Sequence, residues 1–130
     1  MPFAPIAPEI EAIAKIVVDA GFRVHSALGP GLLESAYAHC LAYELESRGC
    51  GVGRQVALPI VYRTVKLDAG YRIDLVVDGA IVVEVKSVEA LAPVHEAQLL
   101  TYLKLSGHRL GFLMNFNVAL SKQGLRRFVI

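Results

Sequence analysis

The chain has 130 residues, 55% of them of apolar type, and a formal net charge of +1. That length predicts one compact domain over residues 1–130, so an active site would share the scaffold of the core, and the charge balance excludes the global basic field of a constitutive nucleic-acid binder. Cys40 and Cys50 have neither CxxC nor Cys/His spacing, which argues against a zinc site and fits reduced thiols in the cytoplasm.

Mean hydropathy is +0.50, high for a small domain, and the apolar surplus motivates the expectation of a homodimer or an unidentified protein partner. Lys104, His108, Arg109, Lys122, Arg126 and Arg127 gather late in the chain but are scattered as on a solvated face. The opening MPFAPIAPE lacks a basic n-region, and Glu9, Glu11, Lys15, Asp19 and Arg23 follow it; neither a signal peptide nor a membrane span is expected.

From Pro8 to Leu28 the residues Ile10, Ile13, Ile16, Val17, Val24 and Leu28 recur at helical spacing, and Gly29-Pro30 supplies a stop. A second helix follows Gly31, with Leu33, Tyr37, Cys40, Leu41 and Leu45 as its stripe and Gly49 as its end. Glycines at 49, 51 and 53 mark a loop, and from about Gln55 the segments QVALPIVY, VKLD, YRIDLVV and AIVVEVKS read as successive strands. Ala92-Pro93 starts a third helix that runs to Gly107, RLGFLMNF is a strand, and RRFVI is a short edge strand. The order ααββββαβ(β) is that of an α/β or α+β fold.

The segment YRIDLVVDGAIVVEVKS combines a buried strand pattern with Asp74, Glu84 and Lys86. A two-residue turn at Asp78-Gly79 would put Glu84 opposite Ile73, in the apolar stripe. An odd loop, such as Val77-Asp78-Gly79 with a left-handed Gly79, aligns Ile73, Leu75 and Val77 with Ile81, Val83 and Val85 on one face. Asp74, Glu84 and Lys86 then converge on the other. Two carboxylates so placed repel and desolvate, and a divalent cation such as Mg²⁺ or Mn²⁺ would neutralise them and assist attack on phosphorus, with Lys86 orienting the water or offsetting phosphate charge. An exposed hairpin face carrying a Glu/Lys pair is the bland alternative.

Asp74 followed by Glu84-Val85-Lys86 resembles the PD-(D/E)XK nuclease motif, and GPGLLESAY, with Gly31, Glu34 and Tyr37, resembles the signature of the GxxExxY proteins of that superfamily. The similarity extends through HEAQLLTYLKL and GFLMNFN, from about Val24 onward. It implies a single-domain nuclease-like fold with a central mixed sheet flanked by helices, a metal held by Asp74 and Glu84, and a catalytic Lys86. Glu34 matches the helical acid that RecB-type exonucleases add to the metal, and Gln98 and Tyr102 match their QxxxY element, implying contact with substrate. Tyr37 is a further substrate-positioning candidate, by orienting Glu34, or a core aromatic. Glu34 also suits a helix N-terminus as such, and Tyr102 with Gln98 would also suit a core and its rim. His25 reads as a cap or packing residue, and Glu89 and Glu96 as outlying acids. The proline of the motif's name is absent, since Ile73 precedes Asp74.

The resemblance therefore implies a metal-dependent phosphodiesterase acting on DNA. With no segment left over to read a base sequence, it would act on ends, single strands or structures, or borrow recognition from a partner or second subunit. The alternative is a non-catalytic binding module that keeps the nuclease fold.

Overall fold

The computed structural model describes residues 4–119 and 121–130. Helix α1 (Pro8–Leu28) has its proline in the first turn, where a missing N–H is no loss, and ends at Gly29, whose φ of 71° and N–H bond to the His25 carbonyl close the last turn. Its buried face is mainly small: Ala14, Val17, Ala20, Gly21 and Val24. Helix α2 (Glu34–Ser47) buries Tyr37, Leu41, Ala42 and Leu45. Leu33, assigned to that stripe from the sequence, is instead the N-cap position and 76% exposed, because the helix begins one residue later.

Strands β1 (Val52–Ala57), β2 (Ile60–Tyr62), β3 (Val65–Leu67), β4 (Arg72–Val77) and β5 (Ile81–Lys86) precede helix α3 (Pro93–Ser106), which is followed by β6 (Leu110–Asn115) and β7 (Leu125–Val129). Among the described residues, five strands form one mixed sheet in the order β1-β4-β5-β6-β7. The pairing is antiparallel except between β5 and β6, which are joined through α3 as a crossover requires. RRFVI is the expected edge strand.

The sheet begins at Val52 rather than at Gln55. QVALPIVY is not one strand: Leu58-Pro59 interrupts it, since proline has no N–H for a ladder. Ile60–Tyr62 and Val65–Leu67 pair with each other in a separate two-stranded hairpin. Arg63, with φ 55°, lies in its turn.

The sheet is covered on both faces, which is why β5 and β6 read as nearly continuous apolar runs. On one face α1 and α2 pack on Leu75, Val77, Ile81, Val83, Val85, Phe112 and Met114. On the other, Leu99, Tyr102 and Leu103 of α3 pack on Ile73, Val76, Val82 and Leu113. The close approaches use glycine: a Cβ on Gly21 would lie 2.9 Å from Met114 Sδ, and one on Gly124 would lie 2.0 Å from the Asn115 carbonyl oxygen.

The second contact is with backbone, which cannot rotate away. Gly124→Ala should therefore lower unfolding free energy by about 3 kcal/mol or more in denaturant titrations. A loss below about 1 kcal/mol would contradict the approach of this residue to β6.

Candidate active site

The β4–β5 connection is Asp78-Gly79-Ala80. Asp78 and Gly79 are both left-handed, with φ of 51° and 64°, and the Ala80 N–H bonds the Val77 carbonyl at 3.0 Å. The loop lies one residue beyond the expected Val77-Asp78-Gly79, but it is odd in length. The ladder accordingly pairs Val77 with Ile81, Val76 with Val82 and Leu75 with Val83, and the same register carries Asp74 to Glu84. Asp78 also ties the turn to the start of β1, accepting the Gly51 N–H through Oδ1 at 2.6 Å and donating its own N–H to the Gly51 carbonyl.

At Asp74 and Glu84 the side chains take over from the main-chain ladder. Glu84 Oε2 accepts the Asp74 N–H at 2.8 Å, and Asp74 Oδ2 accepts the Val85 N–H at 2.8 Å. Each carboxylate is thus anchored to the other strand. Across β1 the paired positions Arg54/Leu75 and Val56/Ile73 flank Gln55, whose φ is 49°. Alternation also changes there. Val52 and Leu75 pack with the α1/α2 cluster, whereas Val56 and Ile73 join the α3 cluster, although each pair has the same parity. Ile73 therefore does not share a face with Leu75 and Val77 as the sequence pattern demanded: a left-handed residue within β1 turns both strands at this point. Sequence reasoning missed Gln55. Its Nε2 donates to Asp74 Oδ1 at 3.4 Å, and no alternation pattern reveals a left-handed glutamine.

Glu84 is 4% exposed, and burial, then the neighbouring Asp74 carboxylate, push its carboxyl from the ordinary 4.5 up to about 8. Burial also raises Asp74, against the lowering effects of the Val85 N–H and the Lys86 ammonium. Lys86 Nζ donates to Gln98 Oε1 at 3.2 Å, and Gln98 Nε2 donates to the Tyr102 hydroxyl at 3.2 Å. The i,i+4 pair on α3 thereby reaches the lysine of β5. Tyr102 is shifted upward, by burial first and by Glu84 next. The Asp74–Glu84 pair and the hydrogen-bonded chain Lys86–Gln98–Tyr102 are coupled through their charges: Lys86 acts on both acids, and both acids act on Tyr102.

Glu34 joins this set at its margin. It opens α2, is exposed, and accepts the Ser87 N–H through Oε2 at 3.3 Å, while Ser87 Oγ donates to the Leu32 carbonyl at 2.6 Å. Tyr37 lies elsewhere. Fully buried and stacked on Phe116, it donates its hydroxyl hydrogen to the Gly29 carbonyl and accepts the Leu32 N–H. Its hydroxyl bonds the Gly29–Leu32 turn that leads into Glu34, not Glu34 itself. His25 is buried with Nε2 2.7 Å from the Val118 carbonyl oxygen, Glu89 is exposed, and Glu96 lies in the first turn of α3. Asn115, 4% exposed, was also missed: it exchanges side-chain hydrogen bonds with both main-chain groups of Val88 and so fixes the chain just after Lys86.

Among the described residues no three or more His, Cys, Asp or Glu side chains are grouped so that they could hold a metal ion, so Glu34 is not brought into one ligand set with Asp74 and Glu84. The donor set fits a hard cation that keeps much of its water. Oδ2 of Asp74 and Oε2 of Glu84 are bound to main-chain N–H groups, which leaves for a cation Oε1 of Glu84 and Oδ1 of Asp74, the latter with only the 3.4 Å contact from Gln55 on it. Mg²⁺ and Mn²⁺ suit such a pair, because one or two carboxylates with waters and phosphate oxygens complete an oxygen shell.

The family model of the PD-(D/E)XK nuclease superfamily matches residues 11–128 of the chain. No curated protein and no solved structure matches it.

Because Glu84 gains its proton at about 8 in the folded chain and near 4.5 when unfolded, the folded state holds more protons between those values. Metal-free stability should therefore fall as pH rises through that window. Thermal melts in chelator should give a lower Tm at about pH 8 than at about pH 5, and Glu84→Gln should shrink the difference. An equal difference in parent and variant would show that the Glu84 proton is not its source.

Proposed function

The chain belongs to the PD-(D/E)XK nuclease superfamily, and from that premise we propose that it is a Mg²⁺- or Mn²⁺-dependent phosphodiesterase acting on DNA. Within the superfamily the GPGLLESAY segment supports our reading of the chain as a GxxExxY protein, and we read residues 1–130 as a single domain. One observation carries the functional reading: the Asp74 and Glu84 carboxylates are held together at the point where β4 and β5 stop pairing through the backbone, with Lys86 next on the same strand.

Asp74 and Glu84 would hold the cation, and Glu34, whose charge acts on both, completes the negative field around it. The bound cation supplies Lewis-acid stabilisation of charge on the phosphate. Lys86 holds the attacking water in line or offsets the charge that develops on the phosphate. Gln98 fixes the lysine by accepting from Nζ and passes orientation on to Tyr102, so this α3 pair positions substrate. The main-chain bonds on the two acids restrict their rotamers, which keeps the oxygens facing the cation in place before it arrives. Tyr37 acts through the turn before Glu34 rather than on substrate.

The free thiols of Cys40 and Cys50 agree with a cytoplasmic location, and a homodimer is the expected use of the surplus apolar surface. Among the described residues no helix is long and apolar enough to cross a membrane.

Lys86→Ala should retain the far-ultraviolet spectrum and melting behaviour of the parent while lowering Mg²⁺- or Mn²⁺-dependent cleavage of labelled DNA by at least about a hundredfold. Cleavage by the variant at the parent's rate would remove Lys86 from the chemistry. A parent that neither cleaves DNA or RNA nor binds a divalent cation would instead favour the non-catalytic module, whereas metal binding without cleavage would point to a missing partner or another phosphate substrate.

A further inference from the structure

The β2–β3 hairpin stands apart from the main sheet, and a groove of about 390 Å³ runs between it and α3, with Ile60, Tyr71, Val94, Gln98, Tyr102 and Leu105 in its walls. No charged side chain lines it. The walls are aliphatic groups and two phenol rings, and the polar points are the Gln98 amide, the Thr101 hydroxyl and the tyrosine hydroxyls. That combination suits a flat, neutral, aromatic group with hydrogen-bonding edges better than it suits a phosphate.

The groove is continuous with the candidate active site. The rings of Tyr71 and Tyr102 meet edge to face with centroids 6.4 Å apart, Gln98 donates to the Tyr102 hydroxyl, and the same Gln98 accepts from Lys86. A group held against Tyr71 and Gln98 is thus one side chain away from the lysine. The surroundings suit a polyanion as well. Arg63 and Lys66 are exposed on the hairpin, and Arg72 donates to the Tyr71 carbonyl at 2.8 Å and pairs with Asp68 at 3.7 Å.

We propose that this groove seats an unpaired nucleobase of the substrate strand beside the phosphodiester to be cut, so that single-stranded or splayed nucleic acid is preferred. A base within a duplex has its faces stacked and its edge paired, and cannot enter between Tyr71 and α3. The position of the scissile phosphate rests on the phosphodiesterase reading; the seating of a base does not.

The test is fluorescence anisotropy of a labelled oligothymidylate, free and annealed as a blunt duplex, in Ca²⁺, with the same samples run on a gel for cleavage in Mg²⁺ and Mn²⁺. The single strand should bind at least about tenfold more tightly than the duplex, and Tyr71→Ala and Val94→Glu should each weaken its binding about tenfold, the scale of one base-on-aromatic contact. Both residues are well exposed, at 46% and 67%, so melting temperatures should stay near the parent's. Single-strand binding that depends on Tyr71 and Val94 without any cleavage would uphold the groove and overturn the phosphodiesterase reading. Cleavage with unchanged binding in both variants, equal affinity for duplex, or no binding of either oligonucleotide would overturn the groove. So would a Val94→Glu variant that changes a sedimenting dimer to monomer while leaving oligonucleotide affinity intact, since the groove would then serve a second copy of the chain.

Discussion

Two neighbouring carboxylates, Glu84 buried and Asp74 half-buried, set the terms for the rest of this molecule. Asp74 and Glu84 occupy a strand pair whose other positions are almost entirely Val, Ile and Leu, and nearby charge of the same sign adds to a desolvation that already disfavours ionisation. The fold accommodates them by letting each accept a main-chain N–H of the opposite strand. The two N–H groups thereby escape being left without a partner where the ladder stops. The arrangement meets the backbone's needs yet keeps two acids together where ionisation of both is disfavoured, and this is the place where the proposed divalent cation would act.

The layers around that pair divide the remaining work. Helices α1 and α2 supply the larger apolar cover and deliver Glu34 to the end of β5 through a turn held by Tyr37. On the opposite face α3 reaches the lysine through Gln98 and brings Tyr102 close enough to Glu84 to feel its charge. The parallel β5–β6 pair places Asn115 where it can fix Val88, directly after the acid and lysine positions. The switch of faces at Gln55 and Asp74 belongs to the same design: it interrupts regular alternation where a charged side chain must leave a two-sided core. Non-glycine residues at positive φ are costly and collect at functional sites, and Gln55 lies in contact with the candidate metal ligand.

Much of this was legible because local chemistry and tertiary context agreed. Proline and glycine punctuation located α1 and α3 to the residue, and the charge pattern alone forced an odd loop between β4 and β5. Disagreement appeared where backbone geometry rather than side-chain type decided the outcome. Glycines at 51 and 53 read as loop, but Gly53 pairs with Val76 within β1. The apolar hairpin Ile60–Leu67 has the composition of a core strand and is exposed instead, since nothing in a single sequence states which β-prone segment joins which sheet. Gln55 carries no signal at all in the sequence, because a left-handed conformation is normally betrayed only by Gly, Asn or Asp. Tyr37 matched a motif, and its burial gives that motif position a structural role in the turn.

The most direct measurement is calorimetric titration of Mn²⁺ into the parent and into Asp74→Asn at about pH 7, in two buffers of different ionisation enthalpy. A Glu84 carboxyl that is protonated up to about 8 must lose its proton when the cation binds. The account predicts one specific site in the parent, with proton release revealed by the buffer dependence, and loss of that site in the variant. Binding of equal strength in the variant would contradict the claim that the Asp74–Glu84 pair is the metal site, and binding without proton release would contradict a raised Glu84 carboxyl.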